Sequence, residues 1–188
     1  MWKQAKYQLT STCAMIMHNG QTADPLNKFS KALKQITSKR KKTDADIEEM
    51  AHIEFMAGLY MGEHGPCIPA TNIEATLIAA AKKNREGQLA KAGMFVEKHG
   101  VMEYKGPHDA EKLWKDNTFH FSKLVRVQSS RVVRMRPIFN EWKTVVEVSY
   151  EESIINKARI DDWMQIAGTQ IGFCDWRPRY GRFDVTIL

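Results

Sequence analysis

The sequence has no apolar run long enough to span a bilayer, and residues 1–7 lack the apolar core of a secretion signal, so neither a membrane partner nor export is expected. Cysteine is scarce. Cys13, Cys67 and Cys174 are odd in number, far apart and free of CxxC spacing, which argues against a disulfide framework or structural zinc site and predicts reduced thiols in a cytoplasmic compartment. His64 and Cys67 have a ligand-like spacing, but no second pair accompanies them, so no metal is expected. There is no internal repeat or low-complexity tract. A P-loop, a dinucleotide fingerprint, G-x-S-x-G and H-E-x-x-H are all missing, and no cofactor is expected.

What the chain does have is positive charge. Its 188 residues suffice for one substantial core, or one domain carrying a large insertion. A formal net charge of +6 and a pI near 9.2 favour an acidic partner, and nucleic acid is the commonest one. The charge is dense in residues 176–187, where Trp176, Arg177, Arg179, Tyr180, Gly181 and Arg182 lead into an alternating strand with Phe183, Val185 and Ile187 on one face. Arginine supplies charge and forked donors, glycine permits close approach, and aromatic rings offer stacking. The plainer reading is a hairpin end with solvated arginines.

Periodicity organises the rest. Residues 5–17 read as a strand broken by His18-Asn19-Gly20. Residues 27–37 and 44–60 read as helices, the second turning Ile47, Met50, Ala51, Ile53 and Phe55 inward. Between them Lys39, Arg40, Lys41 and Lys42 form a basic loop. An extended segment over residues 65–70 leads to a helix over residues 71–85, with Thr71 and Glu74 spaced as a capping box. Short strands are expected at residues 94–96 and 101–104, and a short helix at residues 109–114. Residues 124–136 read as a strand or hairpin, with Gln128-Ser129-Ser130-Arg131 as a possible turn that leaves the parity across it open. A strand over residues 142–150, a helix over residues 156–171 and the closing strand complete a strand–helix–strand unit. The order is β-α-β-β-α-β, an α+β, ferredoxin-like antiparallel sheet backed by two helices. It forms one domain over residues 1–188, with a helical insertion at 18–66 and a second insertion at 98–123.

Three segments in this order resemble the RAMP superfamily, RRM-like proteins that include backbone subunits of CRISPR surveillance complexes. They are Met15-Ile16-Met17-His18-Asn19-Gly20 at the first strand's end, Ile68-Pro69-Ala70-Thr71-Asn72-Ile73-Glu74-Ala75 at a strand-to-helix turn, and Arg179-Tyr180-Gly181-Arg182-Phe183 before the last strand. Ala70, Glu74 and Ala75 stand where the family usually has Gly, Lys and Gly. The ending Asp175-Trp176-Arg177-Pro178-Arg179-Tyr180-Gly181-Arg182-Phe183 is similar to that of phage- and prophage-encoded proteins of proteobacteria. The resemblance implies binding of single-stranded nucleic acid, RNA ahead of DNA, with side-by-side assembly into a homo-oligomer or with other subunits of a ribonucleoprotein.

The residues expected to touch the strand are Arg126, Arg134 and Arg136, if they share one face, together with Arg177, Arg179 and Arg182. Trp176 and Tyr180 are candidates for stacking on bases, although Trp176 reads first as packed under the loop, Gly181 permits close approach, and Lys39, Arg40, Lys41, Lys42 and His18 are further candidates. Trp142 and Trp163 fit apolar stripes and are expected in the core. The chain is not expected to be an enzyme. Some relatives cut RNA with an aspartate in the loop where Asp24 lies, but an aspartate ahead of Pro25 reads first as a turn residue. Two alternatives stand beside RNA binding: a phage-encoded interaction protein that inhibits or mimics a host defence complex, and a phage factor that binds single-stranded DNA.

Overall fold

The computed structural model describes residues 1–127 and 130–188, with the side chains of all but 127, 130 and 131. In chain order its elements are β1 (Trp2–Ser11), β2 (Met15–Ile16), α1 (Lys28–Thr37), α2 (Asp44–Gly58), β3 (Met61–Gly62), β4 (Gly65–Ile68), α3 (Ala70–Lys83), α4 (Gly87–Gly93), β5 (Met94–Phe95), β6 (Gly100–Glu103), α5 (Ala110–Trp114), β7 (His120–Val127), β8 (Ser130–Phe139), β9 (Lys143–Glu151), α6 (Lys157–Ile166) and β10 (Phe183–Ile187). The fold is α+β. The chain divides into two compact units: Met1–Met15, Met61–Lys105 and Phe139–Leu188 form the first, and Ile16–Tyr60 and Gly106–Ile138 the second. The segments read as insertions, 18–66 and 98–123, overlap the second unit, which also takes in the β7–β8 hairpin.

The first unit is an antiparallel sheet of order β10-β1-β9-β6-β4-β3. β1 lies inside it, with Tyr7 opposite Ile187 of β10 and opposite Val146 of β9. On the far side of β9, β5 pairs at Tyr150 and Ser149 while β6 pairs at Thr144 and Lys143, so two short strands share one edge of the same neighbour. Alternation puts Ala5, Tyr7 and Leu9 of β1 and Val146, Val148 and Tyr150 of β9 in the core. Ile73, Leu77, Ala80 and Ala81 of α3 and Ile160, Trp163 and Met164 of α6 complete it. Polar ties help hold α6 in place. The Tyr7 hydroxyl donates to Asp161 at 2.7 Å, and Trp163 Nε1 donates to Glu86 at 2.9 Å. Trp142, Phe173 and Phe183 form an aromatic cluster, with the two phenyl rings stacked at 4.6 Å. Trp142 and Trp163 are core residues, as their stripes predict.

The second unit holds a three-stranded sheet, β2-β8-β7, together with α1, α2 and α5. Phe55 of α2, Trp114 of α5 and His120 of β7 stack together, Trp114 on His120 at 4.3 Å. α2 ends against β8, where a Cβ on Gly58 would come within 2.9 Å of Pro137.

Three local expectations change. The strand read over residues 5–17 begins at Trp2 and stops at Ser11, because the next residues bond elsewhere: the Thr12 N–H donates to the Arg182 carbonyl, and the Cys13 sulfur engages the same loop. Thr71 and Glu74 form no capping box. Glu74 accepts the Val96 N–H at 3.2 Å, and the Ala70 N–H at the start of α3 goes to His99 Nδ1 at 3.0 Å. The inward face of α2 is also shifted. Ile47 is 57% exposed, whereas Glu54 is buried. Of the turn read over residues 128–131, Gln128 and Ser129 lie outside the described residues, and Ser130 and Arg131 belong to β8.

Candidate nucleic-acid interface

The basic loop at residues 172–182 joins the end of α6 to β10. The helix closes in a π-turn over Ala167–Ile171, and Gly172 leaves it in the left-handed region, with φ 78°. Cys174 and Trp176 also have positive φ, 62° and 52°, a conformation that costs a non-glycine residue about 1–3 kcal/mol. Such strain persists only where the surroundings hold it. Here the Phe173 N–H donates to the Gly181 carbonyl at 2.9 Å, and the Tyr180 N–H to the Trp176 carbonyl at 3.2 Å. The Gly181 N–H donates to the Ala14 carbonyl at 2.8 Å, and the Thr12 N–H to the Arg182 carbonyl at 3.0 Å. The Cys13 sulfur accepts the Arg182 N–H at 3.3 Å and donates to the Arg179 carbonyl at 3.6 Å. Gly181 is buried with φ 76°, and a Cβ there would lie 2.1 Å from the Phe173 carbonyl oxygen. Only glycine fits.

On this fixed turn Arg177, Arg179 and Arg182 are exposed, while Trp176 and Tyr180 are half-buried with their ring centres 6.4 Å apart. Arg177 leans on α3, its guanidinium donating to the buried Thr76 hydroxyl at 3.3 Å. Burial pushes the Cys174 thiol up to about 12, against the opposing influence of Asn72 and Arg177, so the sulfur inside the loop stays protonated at neutral pH. The backbone is tied at each of these points, Arg179 and Arg182 stand exposed, and Arg177 is exposed with one donor resting on Thr76.

A second group of candidates meets in the other unit. His18, Arg134 and Arg136 line one cleft of about 320 Å³, although His18 lies more than a hundred residues from the arginines. Arg134 and Arg136 share a face of β8 by their i, i+2 spacing. Arg126 does not join them. Across the hairpin Lys123 stands opposite Arg134, Phe121 opposite Arg136 and Val125 opposite Val132, so Arg126, one residue out of phase, is on the other face. Arg134 is ion-paired with buried Glu54, whose other oxygen accepts the Met135 N–H at 2.9 Å.

Lys39, Arg40, Lys41 and Lys42 are all exposed, but Lys39 is engaged. It pairs with Asp46, which also accepts the Thr43 N–H at 2.9 Å and so closes a capping box at the start of α2. Lys39 first, then the Thr43 N–H, hold the Asp46 carboxyl down at about 2. Asp24 accepts the Leu26 N–H at 2.9 Å, the bond of a turn residue. His64 and Cys67 line a cleft of about 730 Å³ with Lys98 and His99, and among the described residues no group of three or more His, Cys, Asp or Glu is placed to hold a metal ion. Nor, among those residues, is any helix long and apolar enough to cross a membrane.

Sequence reasoning missed Glu54, Cys13 and Thr76. Each acts through a contact with a residue some eighty or more positions away, and nothing in its own neighbourhood signals that. Compared with known protein families and with curated proteins, the chain matches none.

Proposed function

We propose that this chain is a RAMP-like protein, of the phage- and prophage-encoded branch, that binds single-stranded nucleic acid, RNA ahead of DNA, without cleaving it. The observation that carries the reading is the display of Arg177, Arg179 and Arg182 on a turn tied by backbone bonds to Ala14, Thr12 and Phe173. A fixed backbone spares the ordering cost that a floppy basic loop meets on binding. Three guanidiniums then offer forked donors to successive phosphates, and the Trp176 and Tyr180 rings beside them suit stacking on a base. The strand order β10-β1-β9 followed by β5 and β6, with helices α3 and α6 in the two crossovers, supports a ferredoxin-like topology. Assembly along the strand, with copies of itself or other ribonucleoprotein subunits, belongs to the same proposal.

Gel shifts with labelled single-stranded RNA, single-stranded DNA and duplex at two salt concentrations test it. Single strands bind best, and replacing Arg177, Arg179 and Arg182 together by Ala weakens them while the circular dichroism stays native. Each phosphate contact to a single strand contributes about 0.7 to the slope of log K against log salt, so the triple variant loses ~2 of it. Unchanged affinity in that variant refutes the loop as the interface. Binding to no nucleic acid at low salt favours a second reading, an interaction protein. That reading has its own support in an apolar groove of the second unit, where Ile47 is 57% exposed and Val133 62%, beside Met50 and Met135.

A further inference from the structure

We propose that the cleft in the second unit is a phosphomonoester site of mononucleotide size, distinct from the arginine loop and independent of how that loop is read. Its volume, about 320 Å³, is that of a small-ligand pocket and not of a groove that tracks a long strand. The walls divide by chemistry. Leu33 of α1 and Ala57 and Gly58 of α2 give an apolar side suited to a flat ring, and Arg134, Arg136 and His18 give a cationic one.

The charge balance selects an anion. Among the described residues Glu54 is the only acid lining the cleft, and it is committed twice, to the Arg134 guanidinium and to the Met135 N–H. That ion pair also fixes Arg134, which spends one donor on Glu54 out of the five a guanidinium carries. Arg136, two residues along the same face, is steadied by donating from Nη1 to the Met135 carbonyl at 3.0 Å. Two half-buried guanidiniums on one strand face, with Lys123 directly across from Arg134, match the forked acceptors of a phosphate better than a single carboxylate. A phosphomonoester has two natural sources, a free nucleotide and the 5′-phosphorylated end of a strand.

Isothermal titration of the full chain with AMP, adenosine and inorganic phosphate tests the site, and oligonucleotides with 5′-phosphate or 5′-hydroxyl ends identify the source. AMP should bind at least about tenfold tighter than adenosine, and Arg136→Ala should lose about tenfold for AMP, the scale of a charge-assisted hydrogen bond. Arg136→Lys, which keeps the charge and drops the fork, should lose part of that and guards against misfolding of the alanine variant. The triple loop variant at Arg177, Arg179 and Arg182 should keep AMP affinity, so failure of this site and failure of the loop are told apart. A 5′-phosphate advantage that disappears in Arg136→Ala assigns a strand end; AMP binding without that advantage assigns a free nucleotide. AMP binding no tighter than adenosine, or unchanged in a folded Arg136 variant, overturns the proposal.

Discussion

Gly181→Ala is the sharpest perturbation of the basic loop. The residue sits at φ 76°, where an L side chain costs about 1–2 kcal/mol. Its new Cβ would lie 2.1 Å from the Phe173 carbonyl oxygen, against the roughly 3 Å that such contacts tolerate, so one backbone segment must move by about an ångström. That movement breaks the bond from the Phe173 N–H to the Gly181 carbonyl, and leaving a buried donor unmet adds about 1–3 kcal/mol. The sum is about 2–5 kcal/mol, or a drop of roughly 10 °C in Tm for a chain of this size. Urea unfolding followed by far-UV circular dichroism measures it. Gly20→Ala is the control, since a Cβ there meets nothing within 4 Å, and its effect should stay within about 0.5 kcal/mol. Because the loop presents the arginines, Gly181→Ala should also weaken single-strand binding under conditions where the protein is still folded. A Gly181→Ala chain as stable as the parent would falsify the description of the turn.

Glu54→Ala strips a buried partner from both Arg134 and the Met135 N–H and should cost about 3–5 kcal/mol in denaturant unfolding; a loss under 1 kcal/mol would show the pair to be solvated. Asp46 has its folded carboxyl held at about 2, below its ordinary 3.8, so its contribution is present above pH 3.8 and is lost as pH falls toward 2. Acid unfolding of Asp46→Asn should therefore lack the part of the wild-type decline that falls between those values, and superimposable acid curves would refute the pairing with Lys39. His99→Ala removes the acceptor for the first N–H of α3 and should cost about 1 kcal/mol, readable as a shift in the urea midpoint.

Local periodicity carried the element types well, since α3, α6 and β9 each display a regular buried stripe or alternation. It failed where a distant contact decided the matter. Nothing near Glu54 announces that its carboxylate caps an open N–H of β8, and nothing near Ile47 announces that the helix turns it to solvent. His99 shows the same limit: a capping box is a local signal, but the acceptor at the start of α3 comes from a residue some thirty positions later. Parity across the hairpin is a further case. Alternation within β7 and within β8 is legible, yet the pairing of Lys123 with Arg134 is what separates Arg126 from Arg134 and Arg136. The exposure of Arg177, Arg179 and Arg182 was readable from the turn-like sequence, whereas the role of Cys13 in holding that turn was not.

The placement of β1 between β9 and β10 bears on how the protein is made. Trp2 pairs with Glu151 and Tyr7 with Ile187, so during synthesis β1 waits for its first strand neighbour until β9 has emerged and for its second until β10 has. Synthesis proceeds at about 5–20 residues per second, which leaves both edges of β1 without strand partners for several seconds. The second unit, complete by Ile138, can form during that wait. The basic turn cannot. Its anchors at Thr12 and Ala14 meet Gly181 and Arg182 only when β10 docks, so the turn that displays the arginines forms only after both of these distant segments have been made.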